Sequence, residues 1–172
     1  TEQWALEFEK YKAIPQYQLI NKGMTLADFQ FIYWWEWGHR QVGRFIGLFY
    51  LGGFLWFALK RTLPPLQTAI LFGMGLLLGL QGAVGWIMVA SGLQDGMTAV
   101  APVKLMLHLM FASLFLASLV AMVTFLKPPI VPLRVVPERV RTGAWIVLGA
   151  IFVQIALGGL VAGSKAGLIY NT

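Results

Sequence analysis

The chain has 172 residues, 58% hydrophobic and only 12% charged, with a mean hydropathy of +0.71 and a formal net charge of +6. A soluble domain carries about twice that share of charge, so an ordinary water-soluble fold is excluded. Cysteine is absent, which rules out disulfides, thiolate ligands and Fe–S clusters within this stretch.

Residues 1–33 are the polar part. Glu2, Glu7, Glu9 and Asp28 alternate with Lys10, Lys12 and Lys22, and Trp4, Phe8, Tyr11, Tyr17 and Phe29 supply apolar contacts. This pattern predicts an amphipathic helix over residues 4–12, lying on a membrane surface and ended by Pro15. A second short helix is predicted over Met24–Asp28, with Thr25 as N-cap and Asp28 at N3. The polar start lacks a basic segment followed by an apolar one, so no signal peptide is expected there. Both chain ends read as the interior of a longer protein.

A bilayer-spanning helix needs about 20 mostly apolar residues. Four segments qualify: about 34–59, 66–91, 101–126 and 141–163. The cluster Tyr33-Trp34-Trp35-Glu36-Trp37 marks a membrane–water interface, where amphipathic rings concentrate. Pro64-Pro65 gives a tight turn, residues 92–102 form a loop containing Asp95, and Pro128, Pro129, Pro132 and Pro137 stiffen the next. Residues 164–172 begin a further loop. The expected fold is all-α and integral to the membrane: a four-helix transmembrane bundle with an amphipathic helical segment on its outer side.

Lys60, Arg61, Lys127, Arg134, Arg139 and Arg141 fall in loops on one side, against Lys104 and Lys165 on the other. That asymmetry predicts the basic loops in the cytoplasm or matrix and residues 1–33 outside. The basic charge is thus topological, and no nucleic-acid partner is needed to explain it.

The chain has two histidines, His39 and His108. His39 lies 21 residues before Lys60, and His108 lies 19 before Lys127. Taking those lysines as depth markers, the imidazoles differ by about 3 Å in depth at ~1.5 Å per residue. Two neutral imidazoles at one depth in an apolar bundle can clamp a haem iron. Zinc fits less well, because no third ligand is apparent nearby. Gly43, Ile46, Gly47 and Tyr50 follow His39 on its face, and the small residues leave room for a flat macrocycle. Phe111 and Ala112 flank His108.

Glu36 and His39 form an E-x-x-H pair on one helical face. The carboxylate has two readings: a proton-handling group beside a bound cofactor, or an interfacial residue that is solvated or pairs with Arg40. Arg40, Arg44 and Lys104 can hold haem propionates, or reach for lipid headgroups. Gly73, Gly75, Gly79, Gly82 and Gly85 serve close helix packing, with a G-x-x-x-G at 75–79, or admit a bulky ligand edge. Gln81 and Gln154 sit mid-membrane and each needs a partner.

Several stretches resemble the haem A synthase family, in its cysteine-free proteobacterial and mitochondrial form. They are Asn21 to Leu26, Glu36-Trp37-Gly38-His39-Arg40-Gln41-Val42-Gly43-Arg44, Gly79 to Leu93, and Leu160-Val161-Ala162-Gly163 through Ala166-Gly167 to Tyr170-Asn171-Thr172. The resemblance implies eight membrane helices in two similar halves, each with a histidine pair for one haem. In the first half the ring methyl of haem O becomes the formyl of haem A. Carried onto this chain, His39 and His108 are the axial ligands of that haem and Glu36 is the catalytic acid beside it. Arg40, Arg44 and Lys104 are the cofactor-binding residues, although the family tends to have Tyr-Arg where Val103-Lys104 stands. The four spans correspond to the family's second to fifth helices. A haem b and its ligands are expected in the other half. Implied partners are haem O, an electron donor, the lipid bilayer, a haem O synthase, cytochrome oxidase assembly factors and a second copy of the chain. The implied location is the bacterial inner membrane or the mitochondrial inner membrane. Two other readings stand beside this one: a membrane cytochrome b electron carrier, and a non-catalytic haem-delivery or assembly module.

Overall fold

The computed structural model describes residues 2–94, 96–126 and 136–169. Asp95, Lys127, Pro128, Pro129, Pro132, Arg134 and Tyr170-Asn171-Thr172 lie outside the described residues. Among the described residues, six α-helices follow in order: α1 (Glu2–Lys12), α2 (Pro15–Leu19), α3 (Leu26–Lys60), α4 (Pro65–Gly92), α5 (Pro102–Leu126) and α6 (Glu138–Gly163). A 3₁₀ turn (Ala166–Leu168) comes last.

The polar segment is a small aromatic-cored unit folded onto the start of α3. α1 ends at Lys12, and Pro15, expected to terminate it, instead opens α2, where its missing N–H costs nothing. Phe8 and Phe29 are both buried and stack at 5.2 Å. Trp4 packs edge-on against Tyr33 at 5.1 Å. Asn21 Nδ2 donates to the Tyr11 hydroxyl at 2.8 Å. On the outer face of α1, Lys12 donates to Glu9 at 2.7 Å, and that hydrogen bond holds the ammonium above the ordinary lysine value.

Gly23, at φ +96°, makes the turn before α3 in a conformation L side chains rarely adopt. Thr25 then caps the helix: the Asp28 N–H donates to Thr25 Oγ1 at 3.2 Å, and the Thr25 N–H donates to Asp28 at 3.0 Å. The expected N-cap is therefore present, but the helix it opens is not short. It runs without a break for 35 residues, about 52 Å at 1.5 Å per residue. A bilayer core is about 30 Å thick, so the first turns of α3 extend beyond it and receive α1.

α3, α4, α5 and α6 are each long and apolar enough to cross a membrane. Arg61 closes α3 in the left-handed conformation, and Pro65 starts α4 after a turn of four residues, 61–64. At the opposite end, buried Ser91 accepts from the Ala101 N–H at 3.2 Å and ties the end of α4 to the start of α5.

The helices stand in sequence order as an open bundle. α4 packs closely on α5, and α5 on α6, whereas α3 leans more loosely on α4. Among the described residues, no Cα of α3 lies within 8 Å of one in α5. Nearly all large apolar side chains face outward; among the described residues the buried hydrophobic ones are Phe8, Phe29, Met74 and Met122. In water such a surface would be ruinous, but in lipid it is solvated by acyl chains while each helix satisfies its own backbone.

The α5–α6 contact is made by small residues. A Cβ on Gly163 would lie 2.7 Å from Pro102 Cα, and one on Gly159 would lie 3.0 Å from Met106 Cα. The two glycines are a helical turn apart and face two α5 residues a turn apart, so the backbones touch. Of the five α4 glycines singled out in the sequence, only Gly75 and Gly85 approach another helix's side chain, whereas Gly73, Gly79 and Gly82 face open space.

Candidate functional site

The two histidines meet across the gap between α3 and α5. Their ring centres are 6.5 Å apart, with the rings inclined by 70°. Two imidazoles bound on opposite sides of one metal through bonds of about 2 Å, each ring centre about 1.2 Å behind its nitrogen, have centres about 6.4 Å apart. The pair is spaced for a single metal ion between them. Among the described residues, no three His, Cys, Asp or Glu side chains gather in a metal-holding group.

His39 stands on an exposed face of α3. His108 is partly buried and seated on α4. A Cβ on Gly85 would lie 2.7 Å from His108 Cε1 and 3.1 Å from its Nδ1, so the ring rests where only glycine leaves room. Gln81, one turn earlier on α4, places its Nε2 3.4 Å from His108 Nε2. Among the described residues, two buried atoms there have no hydrogen-bond partner: Gln81 Oε1 and His108 Nδ1. Each such orphan costs about 1–3 kcal/mol. A buried polar pair left half-satisfied in this way calls for an explanation.

The space around the pair suits a flat ring. Gly43 and Gly47, below His39 on α3, have nothing within 4 Å of where a Cβ would stand. An apolar groove of about 650 Å³ continues along the same gap, lined by Phe45, Ile46, Phe49, Tyr50, Phe115 and Leu119. Tyr50 spans it, donating its hydroxyl to the Leu71 carbonyl of α4 at 2.8 Å while its ring meets Phe115 at 5.8 Å.

The charged residues do not converge on the histidines. Arg40 pairs with Glu36 along α3 at 3.5 Å, with the carboxylate side chain 71% exposed. Arg44 donates to Gln41 at 3.2 Å. Lys104, one turn before His108, makes no side-chain hydrogen bond or ion pair among the described residues. The sequence marks Gln81 as needing a partner without pointing to His108, and Gly85 reads there as one packing glycine among five. Gln154 is exposed and unpartnered among the described residues.

Fold and site together define a polytopic membrane protein that presents a facing histidine pair between two helices. The family model described as COX15-CtaA, cytochrome oxidase assembly protein, matches residues 1–172, and the chain belongs to that family. It is 55% identical over 169 residues to a protein of Methylorubrum extorquens named Heme A synthase, covering 98% of this chain and 44% of the relative. Proteins of the same name from Methylobacterium sp. (strain 4-46) and Azorhizobium caulinodans are 55% and 49% identical. They cover 99% and 98% of this chain, and 47% and 48% of their own lengths. The chain thus spans about half the length of the curated relatives it matches. No solved structure matches it.

Proposed function

We propose that this chain forms the substrate site of a haem A synthase. Haem O is held between His39 and His108 while one ring methyl is oxidised to the formyl of haem A. The observation that carries this reading is the 6.5 Å separation of the two imidazole centres, in a gap where Gly43 and Gly47 face open space. The name shared by the relatives supports the choice of reaction.

Two successive hydroxylations of the methyl, each using one O₂, two electrons and two protons, followed by loss of water give the formyl: R–CH₃ + 2 O₂ + 4 e⁻ + 4 H⁺ → R–CHO + 3 H₂O. The site therefore needs a redox partner. We assign that role to a haem b carried by the part of the relatives' length that this chain does not span. The membrane is the bacterial inner membrane or the mitochondrial inner membrane.

Within this chain, the imidazoles bind and orient the substrate. Glu36, one turn before His39, is the acidic group nearest the reacting methyl, where it can hold a proton or stabilise developing positive charge. Arg40, Arg44 and Lys104 bind the propionates. The Glu36–Arg40 bridge is exposed and long, and such pairs contribute about 0–1 kcal/mol. Arg40 can therefore exchange Glu36 for a propionate at little cost, which also frees the carboxylate.

The test is to express the full-length protein with a haem O supply and to extract its haems. His39→Ala and His108→Ala should retain little haem O and yield no haem A. Glu36→Ala should load haem O without producing haem A. Normal haem A output from His39→Ala would refute the assignment.

A further inference from the structure

Gln81 and Gly85 occupy one face of α4, a turn apart, and both touch the His108 ring. Gly85 meets the Nδ1–Cε1 side: that nitrogen is buried, has no partner and lies against the α4 backbone. No metal can reach it there. Nε2 is the nitrogen left for coordination, and it is the one beside the Gln81 amide nitrogen, at 3.4 Å. With the amide NH₂ as donor, Nε2 offers its lone pair and the ring proton sits on Nδ1. That tautomer has its free lone pair on the nitrogen a metal would take.

We propose that Gln81 and Gly85 are positioning residues for His108. Gly85 seats the ring so that Nε2 alone is free to coordinate, and the Gln81 amide holds Nε2 as the unprotonated nitrogen until a metal replaces the amide. This rests on the haem-clamp reading for its purpose, but the geometry of the ring and the amide is independent of that reading. The logic matches the general habit of ligating histidines, whose tautomer and orientation are set by the hydrogen bond made at the ring. It differs in that the orienting group acts at the ligating nitrogen and must give it up.

The experiment uses the full-length protein with ¹⁵N-labelled histidine, purified in detergent without haem. Nitrogen chemical shifts should report the Nδ1–H tautomer for His108, and Gln81→Leu should convert it to a mixture. Gln81→Asn is too short to reach Nε2 and should behave like Gln81→Leu. A predominant Nε2–H tautomer in the unsubstituted protein would overturn the role of Gln81. In haem-loaded protein, Gly85→Ala should displace the ring and replace the six-coordinate low-spin absorption spectrum with a high-spin one, with haem retention falling at least tenfold. Gly82→Ala, whose added methyl would meet nothing, should leave spectrum and retention unchanged. A Gly85→Ala spectrum identical to wild type would overturn the seat. His108→Ala separates the two readings: an unaltered spectrum there removes the haem clamp itself, whereas a change there with none in Gly85→Ala removes only the positioning role.

Discussion

Substituting Gly163 by alanine tests how α5 and α6 are joined. The added methyl would stand 2.7 Å from Pro102 Cα and 3.0 Å from Pro102 Cβ. Carbon atoms rest at about 3.5–4.0 Å, so α6 must retreat by about 1 Å at this end. Both near atoms belong to proline, whose ring cannot swing aside, and the cost falls on the backbone. Overpacking of this kind costs about 1–3 kcal/mol, or roughly 5- to 150-fold in an unfolding equilibrium at 1.4 kcal/mol per tenfold. Alanine's better helix propensity returns up to about 1 kcal/mol, which makes a control necessary. Gly158→Ala supplies it: the residue is on the same helix with nothing within 4 Å of its Cβ position, so it reports propensity alone. Stability is read by denaturant titration in mixed micelles, following near-UV circular dichroism. Gly163→Ala and Gly159→Ala should both unfold more easily than Gly158→Ala. If all three are equally stable, the close α5–α6 approach is not what joins these helices.

Tyr50→Phe removes the hydrogen bond to the Leu71 carbonyl while keeping the ring against Gly75 and Phe115. The expected loss is about 1 kcal/mol, with faster amide exchange in the middle of α4; unchanged exchange there would refute the tie between α3 and α4. Phe8→Ala should release α1 from α3, because Phe8 and Phe29 are the only buried hydrophobic side chains in the described part of the polar segment. Limited proteolysis should then cut residues 2–20 at least tenfold faster, with the membrane helices intact; equal cleavage would show that Trp4 and Tyr17 suffice to dock the segment.

Much of the fold is legible in the sequence because its physics is local. Each membrane span is a run of apolar residues long enough to cross a bilayer, and that sum is taken along one stretch of chain. The span expected from residue 34 lies within a longer helix, because the helix does not stop where the membrane does: Thr25 caps α3 well before the apolar run starts. Capping chemistry, readable at Thr25 and Asp28, is the better guide to the helix start. The histidine pair is legible for a related reason. Distance from an interfacial lysine fixes depth, and depth is one of the two coordinates that decide whether residues on two helices can meet.

The other coordinate is rotation about the helix axis, and it belongs to the tertiary structure. Gly75-x-x-x-Gly79 and Gly159-x-x-x-Gly163 are the same pattern in sequence, yet only the second brings two backbones into contact. Gly79 and Gly85 likewise share one helix and one composition, but one faces open space and the other seats His108. Hydropathy and rise per residue are properties of single segments, so four spans and two imidazoles at one depth can be read from the residues alone. Which glycines make contact, and which glutamine finds the histidine, depend on how each helix is turned toward its neighbour, and that is settled by packing.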